Sequence, residues 1–237
     1  MTTTAALPDH LATRRTAVGL PVLMVAMTSL TGLVDAVSYL GLGHVLVANM
    51  TGNVVFLGFA LAGASGFSVS AFVVALGGFL LGAAAGGRLA ITMAPSPSRR
   101  RRWLSTVTAI ESLLTLAAAG AATLTGFASM APFAVIALLA LGLGLQNATV
   151  RKVAIPDLTT TVLTMTLTGL AADSRLAGGD HPRVGRRIGS VLAMLLGAVV
   201  GALLVRSIGL ALALVVLAGL YAAIAVLFVG RQDVGQA

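Results

Sequence analysis

Few side chains in this sequence are equipped for chemistry, and most of those lie inside apolar stretches. Asp35 and Glu111 each stand in a long apolar run. A carboxyl group is costly in hydrocarbon and turns toward a protein interior or a water-filled cavity, so both are candidates for proton or cation coupling. Each has a second reading. Asp35 can cap or fix a neighbouring hairpin, and Glu111 can snorkel or pair with nearby arginines. Asn49, Thr51 and Asn53 share one apolar segment, Thr160, Thr161, Thr164 and Thr166 share another, and Gln146 and Asn147 sit together in a third. These amides and hydroxyls suit a small polar or anionic solute. If half-helix N-termini aim them at the bilayer midplane, free N–H groups and the helix dipole add attraction for an anion. The alternative use is to satisfy the exposed backbone of broken helices.

Other chemistries find little support. There is no cysteine, which removes disulfides, thiolate metal sites and thiol nucleophiles. His10, His44 and His181 are far apart and show no metal-ligand spacing. No paired carboxylates or nucleophile–base set stands out, so neither an enzyme, a metal site nor a cofactor is expected. The net charge of +8 would suggest nucleic acid in a soluble protein. Here the basic residues fall between apolar runs, which suits membrane lipid, with anionic lipid at the cytoplasmic face, rather than nucleic acid.

The elements that must position these residues are membrane spans. Of the 237 residues 58% are hydrophobic and 9% charged, far below the ~25% charge of a soluble domain. Apolar segments run over about 18–40, 45–63, 70–93, 104–127, 130–150, 158–173, 188–206 and 209–229. Segments 45–63 and 158–173 are the polar-bearing ones, poorly suited to face lipid. If all eight crossed, the arginines would divide evenly between the two sides. If those two dip in and return on the same side, Arg14, Arg15, Arg88, Arg99–Arg102, Arg151, Lys152, Arg175, Arg183, Arg186, Arg187 and Arg231 lie inside or at inner helix ends, and only Arg206 lies near the outside. The positive-inside rule selects the second arrangement. The lengths allow it: an extended 41–48 descends about 26 Å at ~3.3 Å per residue, and a half-helix over 49–63 climbs back about 22 Å at ~1.5 Å per residue. Pro156-Asp157 reads as the start of the matching half-helix, with Asp157 as its N-cap. Arg99–Arg102 with Trp103 reads as an anchor at the inner interface.

The two halves resemble each other. Gly32-Leu33-Val34-Asp35-Ala36 matches Gly144-Leu145-Gln146-Asn147-Ala148 at an offset of 112, Met50–Asn53 loosely matches Leu163–Thr166 at 113, and Gly78–Gly86 matches Ala193–Gly201 at 115. Each half holds a helix, a re-entrant segment and two helices. An odd number of crossings per half makes the second half enter from the opposite side. The expected fold is therefore an all-α polytopic membrane protein with six transmembrane helices plus two re-entrant half-helix hairpins, in two inverted-topology repeats. The expected organisation is a cytoplasmic tail at 1–16, a first repeat at 17–128, a second at 129–230 and a cytoplasmic tail at 231–237. Inverted repeats are common in transporters, with the solute held near the midplane. Gly78, Gly82 and Gly86, echoed by Ala193, Gly197 and Gly201, form close-packing faces. They serve packing within one chain or, as the alternative, a homodimer.

Val34-Asp35-Ala36-Val37-Ser38-Tyr39-Leu40-Gly41-Leu42-Gly43, followed by Ala48-Asn49-Met50-Thr51-Gly52-Asn53, resembles the YoaK family of bacterial membrane proteins. So do Gly144–Ala148 and the stretch from Pro156 to Thr164. The similarity covers about residues 17–230. It implies a bacterial inner-membrane location and no particular activity. Where family members often carry Thr-Gly-Thr in the second hairpin, this chain has the bulkier Thr164-Met165-Thr166. A transporter of a small solute is the leading expectation; a passive channel and a structural or regulatory membrane subunit are the alternatives.

Overall fold

The computed structural model describes residues 19–92, 99–124, 130–153, 163–179 and 184–229. Among them are seven α-helices and a short 3-10 turn at Arg175–Ala177, with no strand. The helices are α1 (Leu20–Gly41), α2 (Met50–Leu61), α3 (Val69–Thr92), α4 (Arg100–Thr123), α5 (Ala131–Val153), α6 (Leu163–Ala172) and α7 (Val184–Val229). Five of them, α1, α3, α4, α5 and α7, are long and apolar enough to cross a membrane. Large apolar side chains such as Leu80, Leu81, Leu195, Leu196 and Leu203 point outward. So much exposed apolar surface suits lipid rather than water.

Local signals set the helix ends. Pro21 opens the first turn of α1, where its missing N–H costs nothing. Asn49 caps α2, its Oδ1 accepting from the Gly52 amide at 3.3 Å. Arg151 and Lys152 occupy the last turn of α5, where the helix dipole favours cations. α7 is not one rod. At ~1.5 Å per residue its 46 residues would reach about 69 Å, more than twice a ~30 Å hydrocarbon layer. Gly209 breaks it, with φ 79° and ψ 172°, a conformation that suits glycine.

Helix directions follow from paired contacts. On the first arm of α7, Gly197 lies against the Ser29 carbonyl and Gly201 against that of Leu33, so the arm runs parallel to α1. Leu210, just after the break, lies beside Gly41 at the end of α1. The second arm runs antiparallel to α4: Ser105 Oγ donates to the Ala225 carbonyl at 2.9 Å and Ser112 Oγ to that of Ala218 at 2.8 Å. α3 runs parallel to α5, with Gly82 against the Leu141 carbonyl and Gly86 against that of Leu145. Gly78, Gly82, Gly86, Gly197 and Gly201 are thus all filled by a neighbouring helix of the same chain.

The stretch before α2 and the loop after it lie side by side. His44 Nδ1 is 3.3 Å from the Gly66 carbonyl, and the His44 and Phe67 rings are 5.7 Å apart. Phe56 packs on both Tyr39 and Phe67. The two stretches that flank α2 are therefore in contact with each other. The expected start at Pro156-Asp157 lies outside the described residues.

Candidate functional site

One polar cluster lies at the junction of α1 with the segment leading into α2. Asp35 is buried, 7% exposed, and its Oδ1 accepts the Ala48 amide at 2.8 Å. One turn on, Ser38 Oγ donates to the Asp35 carbonyl at 3.2 Å and accepts the Val47 amide at 3.5 Å. From the other side, Asn53 grips the Leu46 peptide with both ends of its amide. Its Oδ1 accepts the Leu46 N–H at 3.0 Å and its Nδ2 donates to the Leu46 carbonyl at 2.6 Å. Residues 46–48 lack a helix ladder, and these side chains supply the partners that buried backbone groups require. Asn53 is fully buried and committed to this task. Asn49 and Thr51 are exposed, the first as the helix cap.

The second hairpin is described in part. Thr166 is buried and Thr164 exposed, repeating the pattern of Asn53 and Thr51 at their offset of 113. Thr160 and Thr161 lie outside the described residues. Arg187 ties α6 to α7: one guanidinium nitrogen donates to the Gly169 carbonyl and to Asp173 Oδ2, each at 2.6 Å.

A second polar cluster lies deep between α1, α4, α5 and the second arm of α7. Gln146 is buried, and its Nε2 donates to Thr31 Oγ1 at 3.3 Å. Thr31 and Thr28 also donate to carbonyls of their own helix. Asn147, the counterpart of Asp35, turns back to donate to the Leu143 carbonyl at 2.8 Å. Glu111 is 1% exposed and packs beside Gly142 of α5. Thr108, one turn earlier, reaches Met27 Sδ of α1 at 3.9 Å. Tyr221 enters from α7 with 0% exposure. Snorkelling of Glu111 toward the interface does not occur.

The sequence-predicted residues thus fall into two groups, Asp35 and Asn53 at the hairpin and Glu111 and Gln146 in the deep cluster. Thr31 and Tyr221 join the second group and were not singled out. Thr31 lies one turn before Asp35, a spacing that would have found it. Tyr221 stands alone in an apolar run and gives no such signal. Trp103 is 1% exposed and packs in the core, while Arg99 and Arg102 beside it are exposed. Among the described residues no group of three or more His, Cys, Asp or Glu comes together that could hold a metal ion.

A family described as "Protein of unknown function (DUF1275)" matches residues 23–227. The chain is similar to the UPF0700 transmembrane protein YoaK of Bacillus subtilis (strain 168), being 34% identical over 143 residues. That match spans 60% of this chain and 61% of the relative's length. No solved structure gives a significant match.

Proposed function

The chain belongs to the DUF1275 family and is a multi-pass membrane protein, and on that footing we propose that it is a transporter of a small polar or anionic solute held near the bilayer midplane. One observation carries this reading: the close helix contacts come in pairs related by the same offsets as the sequence repeat. Gly82 against Leu141 becomes Gly197 against Ser29, and Gly86 against Leu145 becomes Gly201 against Leu33. Gly32 against the Met194 carbonyl has its counterpart in Gly144 against Phe79. In each case α1 maps to α5 by 112 and α3 to the first arm of α7 by 115. The Ser105–Ala225 and Ser112–Ala218 bonds exchange with each other at an offset of 113.

Such a pattern supports two inverted repeats about a pseudo-dyad, in which each arm of α7 crosses separately. Crossings by α1, α3, α4, α5 and the two arms number six, with α2 and α6 as half-helices of re-entrant hairpins. The contact of His44 with Gly66, before and after α2, supports the first hairpin. Arginine placement supports cytoplasmic termini in a bacterial inner membrane. In inverted repeats, one half rocks against the other around a central site. The axis here passes through the level of Thr31, Glu111 and Gln146, which offer hydroxyl, carboxyl and amide groups. Asp35 and Asn53 keep the first hairpin shut against α1 while these residues meet the solute, with Asn147, Asn49, Thr51, Thr164 and Thr166 along its route. Catalysis has no part in this reading.

The test is a thermal-shift screen of small anions and polar metabolites on purified protein, followed by uptake of any hit into proteoliposomes. Saturable uptake that falls at least tenfold in Gln146→Ala is the expected result. Non-saturating flux would instead identify a channel, and no shift with any compound would remove the transport reading.

A further inference from the structure

Two buried donors at the start of α4 bond to no protein group, Trp103 Nε1 and Arg100 Nε. Trp103 is 1% exposed, and an N–H sealed from water without an acceptor is costly. The two residues are three apart, so they share one face of the helix. A helical side chain covers the turn before its own Cα, which places the Trp103 indole over the turn that holds Arg100. Arg100 is only partly buried, so this face opens to the surface along its side chain. The same turn offers main-chain donors. Arg99, the N-cap, makes no side-chain cap bond, and the ladder begins only where the Trp103 amide donates to the Arg99 carbonyl at 2.9 Å. The amides before it have no partner within the helix.

The charges at this turn oppose the usual rule for a helix start. The positive end of the helix dipole favours carboxylates, yet the first turn of α4 has no acidic residue, and Arg99 is followed by Arg100, Arg101 and Arg102. α5 adds to them. Seven residues separate α4 from α5, a connection short enough to leave the two antiparallel, and Gly142 of α5 packs against Glu111 and Leu114 of α4. From that level α5 runs nine residues to Arg151 and α4 runs back eleven to Arg100, so the exposed Arg151 and Lys152 reach the height of the α4 start. The described carboxylates do not answer this charge. Asp173 is bound to Arg187, Asp35 holds the Ala48 amide, and Glu111 stands about 16 Å further along α4. We infer that the start of α4 is a binding site for a phosphate group, with Trp103 Nε1 and Arg100 Nε as its buried donors, the first amides of α4 beside them and Arg151 and Lys152 as outlying charge. A phosphate group fits better than a carboxylate, because it presents three strong acceptor oxygens to donors that arrive both from the side and along the helix axis. The group belongs either to an anionic lipid of the adjoining leaflet or to a soluble phosphate, and the chemistry of the site is the same for both. Such a site goes beyond the diffuse attraction of basic residues for lipid, and it stands whether or not the chain transports a solute.

Trp103 is the only tryptophan of the chain. Its indole N–H therefore gives a single cross-peak in nitrogen–proton correlation NMR spectra of the full chain and reports on the site directly. The probes are inorganic phosphate, added to the protein in phosphatidylcholine nanodiscs, and phosphatidic acid, built into such nanodiscs in graded amounts. The expected result is a saturable displacement of the peak. Displacement by inorganic phosphate identifies a site for soluble phosphates, and displacement by phosphatidic acid alone identifies a lipid headgroup site. Arg100→Gln is expected to weaken binding by about tenfold or more, the loss of a hydrogen bond to a charged group. Arg102→Gln removes the same charge from an exposed side chain of the same turn and is expected to weaken it by about twofold at most. A peak that neither probe moves overturns the site, and that result needs no variant, so it decides even if Arg100→Gln does not fold. Equal weakening by Arg100→Gln and Arg102→Gln also overturns it, since diffuse charge would then account for the binding.

Discussion

Gly197 lies directly beneath the main-chain carbonyl of Ser29, with no room for a β-carbon between them. The same approach recurs at Gly82 and Leu141, one repeat earlier for the glycine and one later for the carbonyl. Without strong hydrophobic attraction between helices in lipid, such close backbone packing does much of the work of association. It locks α1 to the first arm of α7 and α3 to α5, and so builds the two walls around the central polar cluster.

Gly82→Ala is expected to be destabilising by about 1–3 kcal/mol, because the added methyl meets backbone that can yield only by moving a helix. Gly77→Ala, on the same helix with nothing within 4 Å of the new methyl, is the control. It is expected to be neutral or to stabilise by up to ~1 kcal/mol through helix propensity. Unfolding titrations in mixed micelles would measure both.

Asp35→Ala removes the acceptor for the Ala48 amide and is expected to cost about 1–3 kcal/mol. Asp35→Asn keeps an oxygen in place and is expected to cost less. Hydrogen exchange at residues 46–48 is the measurement, with faster exchange expected in the alanine variant only.

Asn53→Leu leaves both main-chain polar groups of the half-buried Leu46 without their side-chain partner. The expected loss is about 2 kcal/mol or more, since orphaned buried groups lose their full compensation. Thr51→Val, exposed on the same helix, is expected to change stability by less than ~0.5 kcal/mol. Thermal denaturation of the two variants side by side would separate them.

Arg187→Gln breaks the ion pair with Asp173, whose side chain is 44% exposed. With Arg187 12% exposed, the ion pair itself is expected to account for about 0.2–1 kcal/mol, a part that should shrink in high salt, while the lost bond to the Gly169 carbonyl should not. Measuring the difference from wild type at low and high ionic strength checks the sign.

Much of this arrangement was legible in the sequence because it follows from local chemistry. Gly78, Gly82 and Gly86 with Gly197 and Gly201 declared close faces. Asn49 declared a cap. The use of Asp35 was not legible. A carboxyl in an apolar run is equally compatible with proton coupling and with holding an amide, and its bond to Ala48, thirteen residues on, follows no helical spacing that a sequence pattern could carry. Tyr221 was hidden for a different reason. Its level beside Glu111 is set by a register between helices more than a hundred residues apart, which no local pattern carries.

The central claim is that two inverted halves dip their hairpins from opposite faces. The chain has no cysteine, so single thiols at Ser65, after α2, and at Ala177, before α7, report on it in intact cells. An impermeant thiol reagent added outside is expected to label the Ser65→Cys protein and to leave Ala177→Cys untouched until the membrane is opened. Labelling of both from the same side would contradict the inverted arrangement and the central site that depends on it.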